Sequence, residues 1–194
     1  MPATDATANP SDEKRGRVDA RAMIIVAAVA LGVFGLDQLS KFLVVSNMEL
    51  GETLPLLGQV LQLHFVTNSG AAFSLASGFT WILSIIAIGV IVFIIWFARR
   101  IRSVAWAITF GLVLGGAFGN ATDRLFREPG FGVGHVIDFL QLWGFPAIFN
   151  VADIAVVTGM GLFLILTIRG IGLDGQRHPA QAAATDDAEP ADKA

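Results

Sequence analysis

Four long apolar stretches set the pattern of the chain: Ala22 to Val45, Phe79 to Ala98, Val104 to Leu125 and Ala147 to Ile168. A helix rises about 1.5 Å per residue, so about 20 apolar residues cross a hydrocarbon core of about 30 Å, and each stretch predicts a membrane span. The second, FTWILSIIAIGVIVFIIWFA, carries no charge. The first is interrupted near its end by DQLSK, the third is uncharged until Asp123, and the fourth carries Asp153 within its first two turns. Between the first two spans, GQVLQLHFV sets Leu61, Leu63 and Phe65 against Gln62 and His64, the alternation of a half-buried strand. TNSGAAFS follows, and its Asn-Ser-Gly predicts a turn. Such a strand offers an edge to an extended peptide.

The expected fold class is thus an all-α integral membrane protein, four transmembrane helices with a small extracytoplasmic β element. The first span is read as a retained helix, because the small triplet Ala28-Val29-Ala30 lies inside the apolar run rather than after it. Residues 22–169 form the expected membrane domain. The flanks 1–21 and 170–194, rich in Ala, Asp, Pro and Gly without periodicity, read as disordered tails.

Composition agrees with a membrane protein: 54% of residues are hydrophobic and 15% charged, with a mean hydropathy of +0.66. The absence of cysteine excludes disulfides, thiol nucleophiles and Cys-ligated metals. No basic patch interleaved with aromatics occurs, so nucleic acid is not an expected partner. Charge also orients the spans. Lys14, Arg15, Arg17, Arg21, Arg99, Arg100, Arg102, Arg169, Arg177 and Lys193 fall on one side, and only Lys41, Arg124 and Arg127 on the other. The positive-inside rule then makes both termini cytoplasmic and turns Ser46 to Gly78 and Phe126 to Pro146 outward. Trp81, Trp96, Trp106 and Trp143 lie near span ends or in loops, where interfacial anchoring is the simplest reading.

In this topology the polar residues of the spans share one depth. Asp37 and Lys41 lie near the outer end of span one, Asn120, Asp123 and Arg124 near that of span three, and Asn150 and Asp153 at the outer start of span four. Asn120 and Arg124 are four apart and share a face, beside a small-residue ladder of Gly111, Gly115 and Gly119 that lets another helix approach closely. Asp138, expected in the loop before span four, can meet Asp153 at the outer boundary. Two close carboxylates share one proton, so one member can accept a proton from water while the other hydrogen-bonds a peptide carbonyl. Singly, Asp138 reads as a turn cap and Asp153 as an acid at a helix N-terminus. Asp37 and Lys41, acid before base at i,i+4, read as a helix-surface ion pair.

Competing chemistry is poorly supplied. His64, His135 and His178 have no ligand spacing, so neither metal nor other cofactor is expected. Adjacent Ser40 and Lys41 point in different directions on a helix and make a weak dyad. A small proton-coupled transporter would also use paired intramembrane carboxylates, but these acids lie near one surface and no broken-helix repeat is visible. A noncatalytic adaptor would need no such pair.

The chain resembles the lipoprotein signal peptidases (signal peptidase II) in DQLSK at Asp37 to Lys41, TNSGAAFS at Thr67 to Ser74, GGAFGNATDRL at Gly115 to Leu125, VIDF at Val136 to Phe139 and FNVAD at Phe149 to Asp153. The link between Asp123 and Asp138 is longer than is usual in that family. The resemblance implies an aspartyl endopeptidase of the bacterial inner membrane that removes signal peptides from diacylglyceryl-modified prolipoproteins, just before the lipidated cysteine. It implies catalysis by Asp138 and Asp153. It further implies a substrate groove lined by Asn68, Gly70, Asn120, Arg124 and Asn150, and structural roles for Asp37, Lys41 and Asp123. Membrane lipids are the other expected partners, and the protein is expected to act as a monomer.

Overall fold

A computed structural model describes residues 19–70 and 80–177. Helix α1 spans Ala20–Asn47 and starts at Asp19, whose carboxylate accepts from the Arg21 and Ala22 amides at 2.9 and 3.2 Å. After strands β1 (Thr53–Leu57) and β2 (Leu61–Asn68) come α2 (Thr80–Ala98) and α3 (Val104–Phe126). Strands β3 (Val136–Leu142) and β4 (Ile148–Phe149) then lead into α4 (Val151–Ile168). All four helices are long and apolar enough to cross a membrane.

Helix α3 is the hub against which the other three pack. Its glycines explain the close approach. A Cβ on Gly111 would lie 2.8 Å from Val29 Cβ, and one on Gly115 2.7 Å from Val33 Cβ, both on α1. Gly116 meets the Ala152 carbonyl and Val156 of α4 in the same way, and Gly159 of α4 returns the contact against Val113. Adding even a methyl group at such a site costs about 1–3 kcal/mol through overpacking. Apolar residues of α1, α2 and α3, among them Val26, Ile94, Ala107 and Leu114, fill the spaces between.

The four strands form one antiparallel sheet in the order β1-β2-β3-β4 at one end of the bundle. The expected strand at Leu61 to Phe65 is present as β2 and runs on to Asn68. The register sets Val66 opposite Asp138 and Asn68 opposite Val136.

Four expectations need correction. Asp138 stands in β3 rather than in a loop. Val136, Ile137, Asp138 and Phe139 are all buried, so the period of two that reveals a half-buried strand is missing there. Span four starts at Val151, not Ala147, because Asn150 is a strong N-cap and Ile148–Phe149 pair with β3. Span one continues unbroken through DQLSK, since the polar side chains in it find partners on α3. Finally, residues 170–177 are not a loose tail. Ile171 bridges to Arg177, the Trp106 indole donates to the Ile171 carbonyl at 3.0 Å, and the Arg102 and Ser103 amides donate to the Leu173 carbonyl. Trp106 is therefore buried, whereas Trp81, Trp96 and Trp143 are exposed. The remaining tail residues, His178 and part of the TNSGAAFS stretch lie outside the described residues.

Candidate active site

The polar residues picked out by the sequence converge where the sheet meets one end of α1, α3 and α4. Asn150 is the pivot. As N-cap of α4 its Oδ1 accepts from the Asp153 amide at 3.0 Å, and the Asp153 carboxylate accepts in return from the Asn150 amide at 3.2 Å. This reciprocal capping box fixes both side chains. With its oxygen committed, Asn150 must turn its Nδ2 outward, where it donates to Asp138 Oδ1 at 2.7 Å and to Asn120 Oδ1 at 3.1 Å.

Asp138 receives a second amide. Asn68 Nδ2 donates to its Oδ2 at 2.8 Å, while Asn68 Oδ1 is held by the Gly70 amide at 2.8 Å. That turn needs glycine, because Gly70 has φ +96° and a Cβ there would strike the Leu83 side chain. Asp153 in turn accepts from Asn120 Nδ2 at 2.8 Å. The two carboxylates thus belong to one network joined through Asn150 and Asn120, with all four of their oxygens facing N–H donors.

Their environments differ. Asp138 is 2% exposed, whereas Asp153 is only partly buried. Burial pushes the Asp138 carboxyl up to about 6; the negative charge of Asp153 acts in the same direction, and the Asn68 and Asn150 hydrogen bonds and the Lys41 charge oppose it. Asp138 therefore keeps its proton to a higher pH than an ordinary carboxyl does. If it is the protonated member, kcat/KM should fall above about pH 6, by up to tenfold per unit. Asn68→Ala removes a donor that favours the charged form and should move this limb to higher pH. A pH series of cleavage rates checks both.

Beside the carboxylates, Arg124 lies within electrostatic reach of Asp138 and Asp153. Its Nη1 makes a long bond of 3.4 Å to the Asn120 carbonyl, and among the described residues its buried Nε meets no acceptor. A planar fork with unused donors suits a peptide carbonyl or carboxylate.

Asp37, Lys41 and Asp123 are each 0% exposed. Lys41 Nζ lies 2.8 Å from Asp37 and 2.7 Å from Asp123, so the expected surface pair is in fact the centre of a buried ionic cluster. The sequence showed the i,i+4 spacing within α1 but not the second carboxylate, which α3 brings from 82 positions away in the chain. Arg127 extends the cluster, 2.6 Å from Asp123. The i,i+4 spacing of that pair is the signal for it in the sequence. Gln38, which no spacing in the sequence singles out, donates to Asp37 and to the Gly119 carbonyl. Asp37 ties the cluster to α4 by accepting from the Ala152 amide at 3.0 Å.

The model of the signal peptidase II (SPase II) family matches residues 29–169, a range that holds every one of these residues. The chain belongs to the signal peptidase II family. A protein of Leifsonia xyli subsp. xyli named lipoprotein signal peptidase is 60% identical over 95% of this chain and 84% of its own length. The lipoprotein signal peptidase of Rhodococcus jostii is 41% identical over 90% of both chains. In fold the chain is similar to a bacterial membrane enzyme solved in meso at 2.3 Å, with a TM-score of 0.65 and 23% identity over 85% of this chain and 98% of that one. Family membership makes this signal peptidase II an aspartic-type protease and leaves the transporter reading without support.

Proposed function

We infer that Asp138 and Asp153 are the catalytic pair of a peptidase that removes the signal peptide from diacylglyceryl-modified bacterial prolipoproteins, cutting just before the lipidated cysteine. The observation that carries this reading is the network in which Asn150 and Asn120 join the two carboxylates where the sheet meets the helix bundle. The half-buried Asp153 takes a proton from water as that water attacks the scissile carbonyl. The buried Asp138 donates its own proton in a hydrogen bond to the carbonyl oxygen. The tetrahedral intermediate collapses when the proton on Asp153 passes to the leaving nitrogen.

Arg124, with its unused donors, meets a substrate carbonyl near the dyad, and Asn68, Gly70, Asn120 and Asn150 line the groove. Asp37, Lys41 and Asp123 hold the helix ends that carry these groups. The peptidase is proposed to work as a monomer among membrane lipids. The test is purified protein incubated with a diacylglyceryl prolipoprotein and followed by gel shift. Cleavage of the lipidated form but not of the unmodified precursor is expected, and EDTA should leave the rate unchanged, since among the described residues no three His, Asp or Glu are grouped to hold a metal. An intact lipidated precursor would overturn the reading.

The charge bias supports an inner-membrane orientation with both termini cytoplasmic and the site on the extracytoplasmic face. Single cysteines at the exposed positions Ser46 and Glu128 should react with an impermeant maleimide added to intact cells, and one at exposed Arg99 should not. Labelling at Arg99 alone would invert the orientation.

A further inference from the structure

Lys41 does more than hold helices together. Besides its two carboxylate partners, its ammonium donates to Asn120 Oδ1 at 3.1 Å. That oxygen also receives Asn150 Nδ2, and the other end of the same amide, Asn120 Nδ2, donates to Asp153 Oδ1. An amide can be reversed about its last torsion, exchanging oxygen for NH2 at nearly the same positions. An ammonium has donors only, so it forbids the reversed form, which would put an NH2 group against it.

We propose that Lys41 is a positioning residue of the peptidase: together with Asn150 Nδ2 it holds the oxygen of Asn120, turns the amide NH2 onto Asp153 and thereby favours Asp153 as the ionised, water-activating member of the dyad. Without Lys41, Asn150 Nδ2 alone is left to donate to the Asn120 oxygen, and the reversed amide, which presents that oxygen to Asp153, becomes easier to reach. A carboxylate facing a carbonyl oxygen is stabilised only by taking up a proton, so the dyad would hold its proton on the wrong member. Asn68 and Asn150 need no such residue, because the Gly70 and Asp153 backbone amides already fix their oxygens. Asn120 lies within a continuous helix and has no equivalent backbone donor, so side chains supply the anchor, Lys41 Nζ and Asn150 Nδ2 sharing it at 3.1 Å each.

The charged groups around this junction are Asp37 on α1, Asp123 and Arg124 on α3, Arg127 at its end, Asp138 on β3 and Asp153 on α4. The inference rests on the dyad reading, and the test separates the two. The pH dependence of kcat/KM, per folded molecule, is compared for the parent, Lys41→Met, Lys41→Arg, Asn120→Asp and Asp37→Asn, with Asp153→Asn as the check on the dyad itself. In Lys41→Met the acidic limb of the profile should move up by about one pH unit, with about tenfold lower kcat/KM near the parent's acidic limb, the scale of one hydrogen bond to a charged group. Lys41→Arg, still a pure donor, should bring the limb back toward the parent. Asn120→Asp keeps a partner for Lys41 but turns an oxygen toward Asp153, so it should show the same upward shift even if Lys41→Met does not fold. Asp37→Asn loses part of the ionic cluster and should lower the melting temperature without moving the limb. Unshifted limbs in both Lys41→Met and Asn120→Asp, or in Asn120→Asp alone where Lys41→Met does not fold, would overturn the proposal. Full activity of Asp153→Asn would overturn the dyad instead.

Discussion

Asp153→Asn and Asp138→Asn are each expected to lower turnover by a factor of about 10³ or more, equivalent to about 4 kcal/mol in the barrier. An amide can neither take the proton of the attacking water nor donate one as an acid does. Asp153→Asn is the cleaner of the two tests. Asp153 is only partly buried, so an asparagine can turn one N–H toward solvent while its oxygen still accepts from the Asn150 amide or from Asn120. Asp138 is 2% exposed and accepts from Asn68 and Asn150 on opposite oxygens, so its amide would set a donor against a donor. Some loss of stability should therefore accompany Asp138→Asn, by about 1–3 kcal/mol for the conflict. Rates normalised to folded protein, with melting temperatures from the same preparations, distinguish a dead enzyme from an unfolded one. Turnover by either variant near the parent rate would remove that carboxylate from the mechanism.

The largest expected effect on stability is that of Asp123→Ala. Its carboxylate has no solvent exposure and accepts from Lys41 at 2.7 Å, Arg127 at 2.6 Å and the Ile137 amide at 3.3 Å. It therefore joins α1 to α3 and α3 to the strand that carries Asp138. Deleting one partner of a buried ionic cluster costs about 3–5 kcal/mol, because the remaining charge stays buried without full compensation. For a chain of this size that corresponds to a fall in melting temperature on the order of 10 °C. Lys41 retains Asp37 and Asn120 in the variant, so kcat/KM per folded molecule should stay within a few-fold of the parent. Thermal unfolding in detergent measures the first expectation and cleavage kinetics the second; an unchanged melting temperature would show that Asp123 is not a keystone of the bundle.

Sequence alone determined the number of apolar helices long enough to span a membrane, the close face of α3 and the end of that helix at which its polar residues gather. These follow from local rules: about 20 apolar residues cross a bilayer, and glycines four apart share a helix face. It also singled out both aspartates, because an acid beside lipid needs a reason. What only the tertiary structure decided depends on partners far apart in the chain. Asp138 lies in a strand whose buried face carries no alternation, and its strand character comes from pairing with β2 across some 70 positions. Lys41 looked like one half of a surface pair because its second carboxylate and its asparagine arrive on another helix. The direction in which each asparagine amide points is likewise absent from the letters of the sequence. It is set by which end of the amide meets a group that can only donate, and that is known only when the helices have been brought together.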